Sequence, residues 1–442
     1  MTQRNRAPLR IPRALRDCLT AAMAALLMAA LGPGAPVLAG PAAGPDIVVL
    51  MLDDLGAIDE RILERLPAIR ALWLDQGLRF DRLYGETPLC CPGRAEFLAG
   101  QHMASTGVDI NDGRLFDPTY TIATALQVAG YQTMMVGKYF NGTSVIPDKT
   151  PPGWNLAAIY SGGYQFNKCL CWFVNGVRTP KGGYTTYGIK NRATSWITSS
   201  PMTRPLFAYI APFAPHIAAP GYGDPPIGDV PVVPARLQGD ARCADIQPWQ
   251  PPSSNSSKDL VPTCESLLAV DELVASIEEA EAARNRPVVW VLTDDNGMAW
   301  GQHGLDAKTN PWSTRLPVYI TGPGVPHGST NALLSSIDLA PALAHLAPAD
   351  MPHADGRVFD IAHPDGDDGV LEVSPRDSAG RVEREWVAIR TRQWRLLVWH
   401  DGTRQLFNER GDPWEVNDVE GCCPNVEAEL QALMDAKLAD HQ

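Results

Sequence analysis

Two stretches of this chain share one pattern: an unbroken apolar run that ends in paired acids. The first is DIVVLMLDDLG, residues 46–56, and the second is PVVWVLTDDNG, residues 287–297. A strand wetted on one side alternates apolar and polar residues. A run without alternation is buried on both faces, which is the habit of central strands in a parallel sheet. Between and around the two runs, strand and helix signals take turns. LERLPAIRALWLDQG (63–77) has helical periodicity and a glycine stop, and TIATALQVAGYQTMMVGKY (121–139) reads as helix, turn and strand. PLFAYIAPFAPH (205–216) is a strand entering a loop, SLLAVDELVASIEEAEAARN (266–285) an amphipathic helix, and RLPVYITGPGV (315–325) a further strand. Strands alternating with helices predict an α/β fold, with a large, mostly parallel sheet sandwiched by helices.

The C-terminal part departs from that pattern. WVAIRTRQWRLLVWHDGTRQLFNE (386–409) alternates apolar and polar residues about an Asp-Gly turn, and a helix is expected over 424–439. This predicts a small antiparallel subdomain. Residues 217–262 are rich in Pro, Gly and Ser and read as a long loop. The expected division is a signal segment over 1–39, an α/β catalytic domain over 40–375 and the antiparallel subdomain over 376–442.

The signal reading rests on five arginines in residues 1–16, then the apolar run LTAAMAALLMAALG, then the small-residue end APVLAG. Basic start, short apolar core and small-residue end are the features of an export signal. The expected location is therefore secreted, in the periplasm or outside the cell. Without that segment the formal charge moves from −13 to about −17, which gives no electrostatic reason to bind nucleic acid or an anionic membrane. No later segment is apolar and long enough to predict a membrane span. Eight cysteines follow the signal, and in an exported protein some are expected to be bridged. Cys243 and Cys264 bracket a short polar loop and are expected to pair, whereas Cys169, Cys171, Cys422 and Cys423 have no partner legible in the sequence.

In a parallel sheet, ligands bind where the strands end. If the two acid-tipped strands are neighbours, Asp53, Asp54, Asp295 and Asn296 converge. Carboxylates that close repel each other, and a hard divalent cation relieves the repulsion, so an all-oxygen set points to calcium or magnesium. A second cluster is TPLCCPGRAEFLAGQH, residues 87–102. Pro92 suits the first turn of a helix that runs to Gly100, so Cys90 is expected just before a helix N-terminus, where negative charge is favoured. A thiol there would be an activated nucleophile, and Arg94, one turn on, could grip an oxyanion in bidentate fashion.

Cys90, Pro92 and Arg94 form the Cys-x-Pro-x-Arg pattern, and with Leu98 and Gly100 the segment resembles the signature of type I sulfatases. The likeness extends over nearly all of the chain after the signal. Asp53 and Asp54 match the family's first metal pair, and Asp295 and Asn296 in TDDNG match the second. Lys138 in GKYFNG matches the lysine on the sulfate, His216 in APFAPHIAAP the histidine beside the leaving oxygen, and Lys308 in GQHGLDAK the late lysine on the sulfate. PPGW (151–154), IDLAPAL (337–343) and LFNERGDPWEVND (406–418) echo further family segments. CCP, GKYFN and PPGW together look most like the N-acetylglucosamine-6-sulfatase and extracellular endosulfatase branch. Phe140 stands where many sulfatases carry a histidine, as in that branch, and Gly93 stands where serine is usual. His102 has no family counterpart and reads as structural; His303 lies close to Lys308 in sequence and is expected to line the pocket.

The resemblance implies an enzyme, a sulfuric ester hydrolase. Cys90 would be oxidised to formylglycine by a formylglycine-generating enzyme and would also touch the metal. The hydrated aldehyde attacks sulfur, His216 or Lys308 protonates the leaving alcohol, and the second hydroxyl expels sulfate. Arg94, Lys138, Lys308 and the metal would surround the sulfate's charge. The expected substrate is a sulfated sugar or aryl ester, as a small molecule or oligosaccharide. Two other readings share the same residues: a phosphonate monoester or phosphodiester hydrolase on this fold, and an inactive sulfatase-like binding protein with an unmodified thiol.

Overall fold

A computed structural model of the chain describes residues 44–440, apart from 58–59, 143–149, 161, 163, 165–168, 182, 247–259 and 377–384. The expected signal segment lies outside the described residues. The main sheet has ten strands. In chain order they are β1 (Asp46–Leu52), β2 (Leu78–Phe80), β3 (Gln132–Lys138), β4 (Leu156–Tyr160), β5 (Cys169–Val174), β6 (Val177–Lys181), β7 (Leu206–Ala211), β8 (Val288–Asp294), β9 (Tyr319–Thr321) and β10 (Gly328–Thr330). Their order across the sheet is β10-β2-β9-β8-β1-β7-β3-β4-β5-β6. The five central strands, β8 to β4, run parallel; β9, β5 and β6 pair antiparallel to their neighbours. The sheet is therefore mixed and mostly parallel.

The apolar runs are buried on both sides, as their lack of alternation requires. Val48, Leu50 and Leu52 of β1 pack into one core with Leu267, Val270 and Val274 of a long helix (Leu260–Ala282). Ile47, Val49 and Met51 pack into the other with Leu98, Leu126 and Leu343 from three helices on the opposite face. The helices used below are α1 (Cys90–Ala99), α2 (Ile122–Val128), α3 (Thr185–Ser199), α4 (Leu260–Ala282), α5 (Leu339–His345) and α6 (Pro424–Asp440). α1, α2 and α5 cover one face; α3 and α4 cover the other. At the start of β1, buried Asp46 takes Arg284 at 2.9 Å and Arg286 at 2.8 Å and accepts the Leu206 N–H at 2.8 Å. That carboxylate ties β1 to the beginning of β7 and to the entry into β8.

Two expectations need correction. The segment 63–77 is not one helix: short turns at Glu60–Leu63 and Pro67–Ile69 lead into a wider π turn at Arg70–Leu74. Pro67 cannot donate to a preceding turn, so the helix restarts there. The antiparallel sheet also begins earlier than residue 376. Its strands are β11 (Val370–Val373), β12 (Trp386–Arg390), β13 (Trp394–Trp399) and β14 (Arg404–Asn408), in sequential order. β11 is four residues between acidic, glycine-rich flanks, too short to carry a visible period. The Asp401-Gly402 turn joins β13 to β14, and α6 packs Leu430 and Met434 onto the sheet. Cys243 and Cys264 are bridged as expected, which fastens the long loop to α4, and Cys422 pairs with Cys423. The side chains of Cys169 and Cys171 lie outside the described residues.

Between the two sheets lies a buried charge network. Glu372 of β11 takes Arg390 at 3.0 Å and Arg395 at 2.8 Å, and Glu415 takes the same two arginines at 2.8 and 2.7 Å. Burial pushes the Glu415 carboxyl up, but Arg395 and Arg390 outweigh it and hold the group at about 2. A carboxyl depressed on folding contributes stability above its unfolded range and loses it as pH falls towards its folded value. Replacing Glu415 by Gln leaves two buried guanidinium groups short of charge, at about 3–5 kcal/mol near neutral pH. The stability gap between Glu415→Gln and the parent, read from urea unfolding, is expected to shrink as pH falls from about 4.5 towards 2. A gap independent of pH would show that Glu415 acts there only by packing.

Candidate active site

The register between β1 and β8 sets the site. Leu52 lies opposite Asp294 in a parallel pair, so Asp53 and Asp54 leave β1 at the same edge where Asp295 and Asn296 leave β8. Lys138 ends β3 on that edge, and His216 follows the end of β7 by one short loop. α1 comes in from the side. Its first residue is Cys90 itself, one position earlier in the helix than the sequence suggested, and Gly100 closes it with φ 64°, the left-handed conformation a glycine cap supplies.

These elements bring together every residue the sequence singled out for the site. The Lys138 ammonium stands 2.5 Å from Asp53 Oδ2 and 3.8 Å from Asp295 Oδ2. Lys308 Nζ is 2.8 Å from both oxygens of Asp54 and donates to Cys90 Sγ at 2.9 Å. His216 Nε2 is 3.4 Å from Asp54 Oδ2. Asp53, Asp54, Cys90 and His216 each offer one ligand atom within 4.8 Å of the others. Asp54 itself has φ 67°, a conformation Asp tolerates better than most residues.

Arg94 does something other than expected. Its fully buried guanidinium gives Nε to Asp295 Oδ2 at 2.8 Å, Nη1 to the Lys138 carbonyl at 2.9 Å, and sets Nη2 3.4 Å from Asp53 Oδ2. Nε and Nη1 are committed to a carboxylate and a backbone oxygen, so Arg94 braces the acids, while Nη2 faces Asp53 without a hydrogen bond. The thiol reading also changes. Burial pushes the Cys90 thiol far above its usual range, and Lys138 and Lys308 do not offset it. A thiol with that environment is neutral, whatever the helix terminus favours.

Three carboxylates, Asp53, Asp54 and Asp295, thus face three fixed cations, Arg94, Lys138 and Lys308. Burial pushes Asp53 up, but Lys138, His216 and Arg94 hold it below its ordinary value; Asp54 is held down likewise, chiefly by Lys308. Asp295 goes the other way: burial and the neighbouring Asp53 raise it despite Arg94. Asp295 Oδ1 and the Asn296 side-chain oxygen are buried without a hydrogen-bond donor. The Asn296 amide is oriented by donating to Asp54 Oδ1 at 2.8 Å and to the Gly297 carbonyl at 2.9 Å. Orphaned oxygen acceptors on a hard-oxygen set fit a divalent cation. Such an ion would turn a balanced cluster into one with surplus positive charge, suited to an anionic ester.

Several functional neighbours escaped the sequence. Tyr209 on β7 sets its hydroxyl 3.3 Å from Arg94 Nη1, and Tyr164 donates to the His216 carbonyl at 2.5 Å. Tyr209 belongs to an apolar strand and carries no motif; its only signal was alternation toward α1. His216 Nδ1 faces the Ile217 carbonyl at 2.8 Å. A carbonyl only accepts, so Nδ1 carries a hydrogen and Nε2 is the atom turned to the centre. Asp294 is a brace, accepting the N–H groups of Leu55 at 2.7 Å and Gly56 at 2.6 Å. His102 binds Glu86 at 3.0 Å, a structural contact, and His303 stacks on Trp312 with ring centroids 3.8 Å apart.

Comparison with known proteins agrees with this geometry. A sequence model described as Sulfatase matches residues 45–349. The chain is 28% identical to human N-acetylglucosamine-6-sulfatase over 385 residues, 77% of this chain and 67% of that one. It is 27% identical to the extracellular sulfatase SULF-1 homolog of Drosophila melanogaster over 351 residues, 71% of this chain and 31% of that one. The chain therefore spans from about a third to two thirds of the length of these relatives. A solved structure in complex with its substrate D-glucosamine-2-N,6-O-disulfate shares the fold at TM-score 0.70 and 19% identity, covering 90% of this chain and 98% of that one.

Gly93 is where this site is tightest. A Cβ built on Gly93 would lie 1.9 Å from the Asp295 carbonyl oxygen, so the helix of Cys90 rests directly on the backbone of Asp295. Helix propensity alone predicts that Gly93→Ala stabilises by about 0.5–1 kcal/mol. The clash predicts the opposite sign, and a displaced Asp295. Titration calorimetry with a divalent cation is expected to show binding weakened about 10- to 100-fold in Gly93→Ala and in Asp295→Ala alike. A Gly93→Ala protein that is more stable and binds the cation like its parent would refute this.

Proposed function

The chain belongs to the sulfatase family, and we propose that it is a sulfuric ester hydrolase whose Cys90 is converted to formylglycine and whose divalent cation sits among Asp53, Asp54, Asp295 and Asn296. The observation that carries this reading is the convergence of four oxygen-bearing side chains, Cys90 and three cations at one edge of the sheet. Calcium is the preferred ion, because a set of several carboxylate and amide oxygens suits its larger shell; magnesium is the alternative. Cys90 Sγ marks the position of the formylglycine oxygens. When present, the two groups would supply a geminal diol that attacks sulfur and later expels sulfate, with the cation drawing off charge.

The remaining work falls to the chain's own residues. Lys138 and Lys308 flank Cys90 and would pair with the sulfate oxygens, since both are buried cations that already neutralise anions there. Arg94 keeps Asp53 and Asp295 at a fixed separation. His216 has its Nδ1 hydrogen committed to the Ile217 carbonyl, so as the doubly protonated imidazolium it would hand the Nε2 proton to the departing alcohol and stay as the Nδ1–H neutral ring. Lys308 is the second candidate for that step.

The likeness to N-acetylglucosamine-6-sulfatase and to an extracellular sulfatase supports a 6-O-sulfated glucosamine or a related sulfated glycan as substrate. The chain's formal charge of −13 opposes long polyanions, which favours a small ester or short oligosaccharide. The basic and apolar N-terminal stretch and the extracellular relative support secretion, and no helix among the described residues is long and apolar enough to cross a membrane. A formylglycine-generating enzyme is the partner this reading requires. The expected domains are the α/β unit carrying the site and the antiparallel unit that starts at β11.

Two measurements test the proposal. The tryptic peptide Leu83–Arg94 from the secreted protein is expected to carry the aldehyde or its hydrate at Cys90; a thiol or disulfide alone would favour a binding protein. The modified enzyme is expected to hydrolyse aryl sulfate faster than aryl phosphate diesters, and glucosamine 6-sulfate faster than polymeric heparan. Greater turnover of the diester would move the assignment to the phosphodiester hydrolases. His216→Ala is expected to lower kcat by about 10²- to 10⁴-fold with the aldehyde content unchanged.

A further inference from the structure

Lys308 sits between a two-residue strand, Asp306–Ala307, and a turn at 309–313, in a segment of strained backbone. The residues on either side of it, Ala307 and Thr309, both have φ of 72°, a conformation that non-glycine residues adopt only where their surroundings impose it. On the C-terminal side of Lys308, three contacts from the antiparallel sheet hold the segment. Trp386 at the start of β12 donates its Nε1–H to the Thr309 carbonyl at 3.0 Å. Arg395 of β13 donates Nη2 to the Pro311 carbonyl at 2.5 Å. Glu372 of β11 accepts the Thr314 hydroxyl at 3.0 Å. Trp386, Arg395 and Glu372 are almost wholly buried, and Glu372 also binds Arg395 at 2.8 Å, so the three act as one body. On its other side Thr309 N–H donates to the Pro88 carbonyl, two residues before Cys90, and Ala307, just before Lys308, pairs with Ala299 in a short antiparallel ladder.

We propose that the antiparallel sheet is the positioning device for Lys308: Trp386 and Arg395 pin the carbonyls that follow it, and so aim its ammonium at Asp54 and Cys90. They are positioning residues; neither is within the reach of a substrate at Cys90 in the contacts described. The lysine of β3 provides the internal standard, because Lys138 stands on a central strand of the main sheet and not on the segment that Trp386 and Arg395 hold.

The test reads the two lysines in one sample. The full-length protein is acylated with a limiting N-hydroxysuccinimide ester, and labelling at Lys308 and Lys138 is counted by peptide mass spectrometry. Trp386→Phe keeps the ring and removes the donor. It is expected to raise the Lys308-to-Lys138 ratio about threefold or more. Leu430→Ala, in the α6 contact with the same sheet, lowers the melting temperature without touching 309–311 and is expected to leave the ratio unchanged. An unchanged ratio in Trp386→Phe, or an equal rise in Leu430→Ala, overturns the proposal. The kinetic consequence rests on the sulfatase reading: kcat/KM for aryl sulfate is expected to fall about five- to tenfold in Trp386→Phe. A parent protein that turns over no sulfate would sink that reading and leave the labelling result to judge the clamp.

Discussion

The parallel pairing of β1 with β8 is the contact on which the rest of the structure depends. Asp46 faces Val288 at one end and Leu52 faces Asp294 at the other, without a bulge between. A parallel ladder carries both chains to the same edge, so the acids that follow arrive together. An antiparallel pairing of the same two runs would have sent them to opposite ends. Burial on both faces makes this register hard to shift, because a slip of one residue would exchange the side chains of two separate cores.

What gathers at that edge is a set of charges that only makes sense as a whole. Removing Lys138 or Lys308 from it leaves carboxylates without compensation in a site shielded from water, and removing an acid strands a cation. Arg94 is the member that joins the two halves, since it touches the acids of β1 and of β8 and the end of β3 at once. Groups coupled this tightly are expected to respond to mutation together and not additively.

The parts of this arrangement legible in the sequence were those carried by long patterns or fixed spacings. The two apolar runs fixed a buried parallel sheet, and the alternation of 386–409 with its Asp-Gly turn gave three strands of the second sheet. The acids, Cys90, Lys138, His216 and Lys308 could be gathered because their order along the chain resembles a family's. What stayed hidden depends on partners distant in sequence. β11 has four residues and no period of its own until β12 lies beside it. The direction of the Arg94 fork follows from Asp295, 201 positions away, and cannot be inferred from a helix N-terminus. Tyr209 and Tyr164 look like ordinary core aromatics until the fold sets their hydroxyls against Arg94 and His216. The helix at 63–77 failed for a local reason, since periodicity outvoted Pro67.

All ten residues of α1, Cys90 through Ala99, are buried. An enzyme that must read Cys90, Pro92 and Arg94 as a peptide cannot reach them once the helix has closed against Asp295. On the proposed reading, conversion of Cys90 would be a race against folding, and its yield would be a ratio of two rates. Conditions that speed folding would then lower the share of converted molecules, and slower folding would raise it. Two samples of identical sequence and identical fold can then differ in specific activity purely through the history of their synthesis.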